Sequence, residues 1–75
     1  MASGLTIDAR GERCPLPVLR MEKALAALGK GDTLTVLATD PMAKIDIPLF
    51  CTQNGHQCVV SNENDVLRFE IAKGG

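Results

Sequence analysis

Leu5 and Ile7 alternate with Thr6 and Asp8, a period of two that gives a short strand one apolar face. Residues 9–13 hold Gly11 and three charged side chains and read as a basic loop leading to Cys14-Pro15-Leu16-Pro17. Over 15–28 the apolar residues Val18, Met21, Leu25 and Leu28 recur every three or four positions, while Arg20, Glu22 and Lys23 fall off that stripe. This spacing predicts an amphipathic helix. Gly29 and Gly31 around Lys30 supply a left-handed conformation and a cation to stop it. Residues 33–38 place Leu34, Val36 and Ala38 on one side, a second and more central strand. Asp40-Pro41 opens a second helical segment, whose face Ala43, Ile47, Phe50 and Cys51 share and which Asn54-Gly55 ends. Pro48 interrupts it by removing a backbone donor, so the sequence predicts a bend, or a restart with Asp46 as the new N-cap. Residues 58–61 and 66–71 then bracket the polar tetrad 62–65 as the arms of a hairpin, with Leu67, Phe69 and Ile71 on its apolar face.

The order β-α-β-α-β-β predicts an α+β two-layer sandwich, a four-stranded mixed sheet with two helices on one face and right-handed crossovers. One domain over 1–75 accounts for the chain, its core spanning about 5–72, without repeats or linkers.

Composition narrows the possible functions. Two Phe and no Trp or Tyr leave no aromatic platform for stacked bases, so direct nucleic-acid binding is not expected. Eight basic and nine acidic side chains give a net charge of -1, with no block of like charge to draw phosphates or anionic lipid. The amino terminus has no basic-then-apolar leader pattern and no apolar run reaches membrane-spanning length, so a cytoplasmic monomer with protein partners is expected. Three cysteines at irregular spacing do not form a secreted disulfide framework, and free thiols are expected.

Cys14 takes the position of a helix N-cap, where Ser, Thr, Asp or Asn usually stands, with Pro15 at the first helical position and Pro17 within the first turn. The prolines stiffen this helix mouth and leave mainly the Leu16 and Val18 N–H groups to address an anion such as a thiolate. A helix N-terminus stabilises an exposed negative charge by about 0.3–1 kcal/mol, which lowers a pKa by roughly 0.2–0.7. Arg10 and Arg13 add a screened Coulomb attraction, or are simply solvated loop charges; the alternatives are thiolate stabilisation and partner docking. A mildly acidified thiol suits sulfur exchange, which is fastest when the attacking thiol titrates near ambient pH. A small buried hydrophobe is the other reading of any free cysteine.

Cys14-Pro15-Leu16-Pro17 at the first helix, followed by Asp40-Pro41, Asp46-Ile47-Pro48, Phe50-Cys51 and Gly55-His56, closely resembles the TusA/SirA family of sulfur-carrier proteins, over residues 5–71. The resemblance implies that Cys14 accepts sulfur as a persulfide from a cysteine desulfurase or rhodanese-like donor. It then surrenders that sulfur to the thiol of a downstream acceptor, in a pathway such as tRNA thiolation or sulfur metabolism. Such a sulfurtransferase depends on its donor and needs no cofactor.

The remaining polar residues have plainer readings. Cys51 and Cys58 fall on core faces. One histidine and no paired Cys-x-x-Cys argue against a closed zinc site, and His56 completes the turn after Gly55. Asp40 and Asp46 precede prolines and read as helix caps. A competing function is a regulatory or interaction module in which Cys-Pro-x-Pro only stiffens a helix start. Terminal Gly74-Gly75 suggests a thiocarboxylate carrier, but those begin with a hairpin rather than a strand running into a helix, and 73–75 reads as a frayed end.

Overall fold

The computed structural model describes residues 4–13 and 15–74. Its elements follow the expected order: β1 (Gly4–Ala9), α1 (Leu16–Ala26), β2 (Thr33–Ala38), α2 (Ala43–Gln53), β3 (Gln57–Glu63) and β4 (Val66–Ala72). The sheet order is β1-β2-β4-β3, with β1 parallel to β2 and the other neighbours antiparallel. Register lays the apolar residues in rows across the strands: Ile7 beside Val36 and Val36 beside Phe69, Leu5 beside Leu34 and Leu34 beside Ile71. Met21 and Leu25 from α1 and Ala43, Ile47 and Cys51 from α2 cover this face and close one core with Phe69, Leu34 and Ile71. On the uncovered face Thr35 Oγ1 donates to Glu70 Oε1 across the strands at 3.0 Å, and Arg68 pairs with Glu70 at 2.6 Å.

Several local expectations change. The helix over 15–28 stops at Ala26: Ala27 and Leu28 N–H reach back only three residues, to Ala24 and Leu25, tightening the last turn. The cation at this end is Lys73, not Lys30; its ammonium donates to the Leu25 and Leu28 carbonyls at 2.7 and 2.6 Å. Sequence neighbourhood cannot show a cap arriving from the other end of the chain.

Residue 73 is not frayed. Gly31 N–H donates to the Lys73 carbonyl and Lys73 N–H to the Asp32 carbonyl, each at 2.9 Å, while Gly74 N–H reaches His56 Nδ1 at 3.1 Å. Gly75 lies outside the described residues.

The second helix runs unbroken through Pro48, with no restart. Asp46 N–H donates to the Met42 carbonyl at 2.9 Å, which makes Asp46 a helical residue of the first turn rather than an N-cap. The carbonyl that Pro48 leaves without a helical donor belongs to Lys44, an exposed residue. Asp40 does cap the entry: its Oδ1 accepts Met42 N–H at 3.1 Å and its carbonyl accepts Ala43 N–H at 3.0 Å. At the other end Gly55, at φ +76°, supports a Schellman stop in which His56 N–H donates to the Cys51 carbonyl at 2.8 Å.

The hairpin loop is also shorter than the tetrad 62–65. Asn64 and Asp65, at φ 52° and 66°, form a two-residue turn, and Asn62 and Glu63 join β3. Left-handed geometry at both central residues is what a type I′ turn requires, and Asn and Asp tolerate it best after glycine.

Candidate functional site

The two parallel strands release their loops at the same end of the sheet. Residues 10–15 leave β1 and residues 39–42 leave β2, and Gly11 N–H donates to Thr39 Oγ1 at 2.9 Å, tying them together. Gly11, Glu12, Arg13, Thr39, Asp40 and Pro41 line an open polar cleft between these loops. Across Thr39 and Pro41 a second cleft runs to the tip of the β3–β4 hairpin, bounded by Lys44, Asn62, Asp65 and Leu67. Ends of parallel strands are where α/β folds collect their loops and sites, because the helices begin there.

Cys14 lies outside the described residues; its neighbours bracket it. Leu16 N–H donates to the Arg13 carbonyl at 2.9 Å and Leu19 N–H to the Pro15 carbonyl at 3.0 Å. The N-cap position therefore falls on Pro15, one residue later than expected for Cys14, and no side chain among the described residues caps this start. Leu16 N–H is occupied by Arg13, so it is not a donor for an anion as the sequence suggested. Pro15 is exposed, whereas Pro17 is fully buried and anchors the first turn in the core.

The arginines divide. Arg10 is held by Asp8 through two side-chain contacts at 2.8 and 2.7 Å, and this guanidinium holds the Asp8 carboxyl down at about 2. Both are well exposed. Arg13 is exposed on the rim of the polar cleft. A third arginine, which the sequence pattern places only off the apolar stripe of the helix, joins them: Arg20 pairs with Glu12 Oε2 and donates to the Asp8 carbonyl at 3.2 Å, strapping α1 to the loop before it. The other Glu12 oxygen, Oε1, is buried without a hydrogen-bond partner among the described residues. Nothing in the linear pattern announces this strap, because Glu12 and Arg20 meet only when the loop folds back on the helix.

The other two thiols are withdrawn. Cys51 is 1% exposed, and burial, reinforced by the Cys58 thiol beside it, pushes it up to about 12. Burial also raises Cys58, which packs half-buried against the core. His56 stays beyond them: its ring stacks on Phe50 with centroids 6.3 Å apart while Nδ1 accepts Gly74 N–H. Among the described residues no three His, Cys, Asp or Glu side chains gather to hold a metal ion, and no helix is long and apolar enough to cross a membrane.

Comparison with known proteins agrees with this architecture. The family described as sulfurtransferase TusA matches the chain over residues 5–73. Two proteins of Neisseria meningitidis, one from serogroup A and one from serogroup B, are each 52% identical over 60 residues, covering 80% of this chain and 81% of theirs. Both are named as candidate sulfur carriers. The crystal structure of a SirA-like protein from Desulfitobacterium hafniense superposes with a TM-score of 0.87 at 36% identity, over 95% of this chain and 99% of that one. Four strands and two helices in the order found here, a Cys-Pro-x-Pro start to the first helix and a family match over nearly the whole length converge on one conclusion: the chain belongs to the TusA/SirA family of sulfur-carrier proteins.

Proposed function

We propose that the chain carries sulfur as a persulfide on Cys14, receiving it from a donor protein such as a cysteine desulfurase or a rhodanese-like enzyme and passing it to a thiol of an acceptor protein. The observation that carries this reading is the state of the other two thiols. Cys51 and Cys58 sit in or against the core with their ionisation suppressed, and a sulfur relay needs a thiolate that a partner can reach. Cys14 alone stands in a motif set between exposed residues, Arg13 and Pro15.

In loading, the Cys14 thiolate attacks the outer sulfur of the donor's persulfide. A new S–S bond forms at Cys14 as the donor's S–S bond breaks, and the electron pair leaves with the donor thiolate. One sulfane sulfur changes hands, no external oxidant or reductant is consumed, and delivery repeats the exchange with Cys14 as the leaving thiolate. Free thiols at Cys51 and Cys58 fit a reducing compartment such as the cytoplasm. tRNA thiolation and general sulfur metabolism ask the same chemistry of Cys14, and the acceptor sets the pathway.

Incubation with a cysteine desulfurase and free cysteine should add one sulfur atom to the intact mass, removable by a reductant. Cys14→Ser should abolish the gain, while Cys51→Ala and Cys58→Ala still load. Sulfur appearing on the Cys14→Ser protein at the normal rate would refute the assignment.

A further inference from the structure

The two edges of the sheet are finished differently. Among the described residues β1 and β3 each have one strand neighbour, β2 and β4 respectively. On β1 the Arg20 guanidinium takes the Asp8 carbonyl, and the Asp8–Arg10 ion pair stands at the strand's end. Charge of this kind blunts an edge against further strands. β3 has no such cover. Gln57–Glu63 runs seven residues without lysine, arginine, proline or a bulge, and all but Cys58 are exposed. Val59 is 66% and Val60 37% exposed. The exposed apolar residues of the helix layer, Leu16, Leu19, Met42, Ile45 and Leu49, offer side chains only, whereas β3 offers backbone donors and acceptors as well. The hairpin fixes which ones. Its two-residue turn makes Glu63 and Val66 a pair that exchanges both backbone hydrogen bonds, and such pairs recur at every second residue: Ser61–Arg68, Val59–Glu70 and Gln57–Ala72. The same parity continues past the strand, where Lys73 bonds Gly31 and Asp32 on the β2 side and Gly74 bonds His56 on the β3 side. Cys58, Val60 and Asn62 therefore turn their N–H and carbonyl groups outward, away from β4.

We propose that β3 pairs antiparallel with β3 of a second copy, about a two-fold axis through Val60, in a weak, reversible dimer with one continuous sheet of twice four strands. Symmetry selects this occupant. Val60 is the midpoint of β3 and the middle one of its outward residues, so the axis sets Val60 against Val60 and Cys58 against Asn62. Every outward N–H then meets an outward carbonyl. Sliding the register by two residues in either direction leaves an outward residue of each copy unpaired. The side chains suit the same register. On the open face Gln57 falls opposite Glu63, the single charge of the strand, and Val59 opposite Ser61, so no like charges meet. A foreign extended segment meets the same backbone, but Gln57 and Glu63 at the two ends of β3 complement each other, which a second copy satisfies on both sides of the axis. Seven residues a side are far fewer than the roughly 20–30 of a standard interface. The dimer therefore forms at high chain concentration and adds to the monomer that the sequence predicts. β3 runs parallel to β2, so its hairpin tip lies by the motif loops. The two-fold sends the two sets of motif loops to opposite ends of the joint sheet, each open to its own partners.

Sedimentation velocity of the unmodified protein in reducing buffer should give a mass that rises with concentration from 8.0 kDa toward twice that value. A constant 8.0 kDa up to millimolar chain would overturn the proposal. Amide hydrogen exchange read by NMR locates the contact. The N–H groups of Cys58, Val60 and Asn62 should exchange more slowly as concentration rises, while those of Val59 and Ser61, already bonded to β4, should not change. Slowing confined to other segments, such as the exposed helix faces, would move the dimer contact off β3 and overturn it. Slowing at 58, 60 and 62 only when a cysteine desulfurase is added would give the edge to a foreign strand and overturn the second copy. The axis is tested by charge. Val60→Lys and Val60→Glu each set like charges face to face and should weaken the dimer at least about tenfold. Mixed in equal amounts, the two variants should pair within about threefold of the parent's affinity, since their charges then attract across the axis. Variants that circular dichroism shows to be folded but that stay monomeric on mixing would overturn an axis through Val60.

Discussion

The two ends of the sheet are built on opposite principles. At the end holding the C-terminal tail, backbone and side-chain groups are matched: Lys73 caps α1, its N–H and carbonyl clasp the 31–32 turn, the Schellman stop closes α2, and His56 receives Gly74. At the motif end, among the described residues, one helix start has no side-chain cap, prolines replace donors, a Glu12 oxygen is buried without a partner, and five large apolar side chains face water. Local rules are satisfied where nothing has to be reached and set aside where a partner has to dock, the pattern expected when function is placed on a stable frame. Substitutions at the tail end should therefore change stability and spare sulfur loading, and those at the motif end should do the reverse.

The largest stability effect belongs to Lys73. Its ammonium satisfies two helix-terminal carbonyls, so Lys73→Met should lower the unfolding free energy by about 1.5–3 kcal/mol, the range for a hydrogen bond to a charged group. Urea denaturation measures this, and loading of the folded variant should be unchanged. A smaller loss, about 1 kcal/mol, is expected for Gly74→Ala. A Cβ there would fall 2.1 Å from the Gly55 carbonyl oxygen, so the backbone must shift and the Gly74 N–H bond to His56 Nδ1 is weakened or lost. If Gly74→Ala weakened sulfur loading more than stability, the division between the two ends would fail.

Much of this was readable from the chain because periodicity is local. Leu34, Val36 and Ala38, or Met21 and Leu25, declare their faces within a few residues, and the order of elements follows. What escaped depends on distant segments. Lys73 lies 45 and 48 residues from the carbonyls it caps. Pro48 does not break α2, because the burial of Ile47 and Cys51 on either side holds the helix together through a lost hydrogen bond. Pro41 and Pro48 both looked like helix starts, and only one is. At the site, the motif marked the position, but the turn that consumes Leu16 N–H, the Arg20–Glu12 strap and the outward leucines needed the fold.

At the motif end the effects on stability should nearly vanish. Leu19→Glu and Ile45→Glu replace side chains already half in water, so each should stay within about 0.5 kcal/mol of the parent in urea denaturation. A loss of several kcal/mol would show that these exposed side chains support the fold after all.

The smallest effect, and the one that settles what Arg10 does, concerns its pair with Asp8. Asp8 titrates at about 2 in the folded chain against 3.8 unperturbed, chiefly through the Arg10 guanidinium. A depressed carboxyl favours the folded state above its unfolded value, and that contribution disappears as pH falls from 3.8 through about 2. Asp8→Asn should therefore flatten the acid limb of a melting-temperature profile between those limits and leave it unchanged near neutrality apart from the small, salt-screened contribution of an exposed pair. The same substitution releases Arg10, three residues after which the loop comes to Arg13. If Arg10 can then turn its charge toward Cys14, alkylation by iodoacetamide at fixed sub-neutral pH should speed up by less than about threefold, the size of a weak surface electrostatic effect, and added salt should erase the gain. An alkylation rate equal to that of the parent at low salt would show that the released Arg10 exerts no field at the thiol.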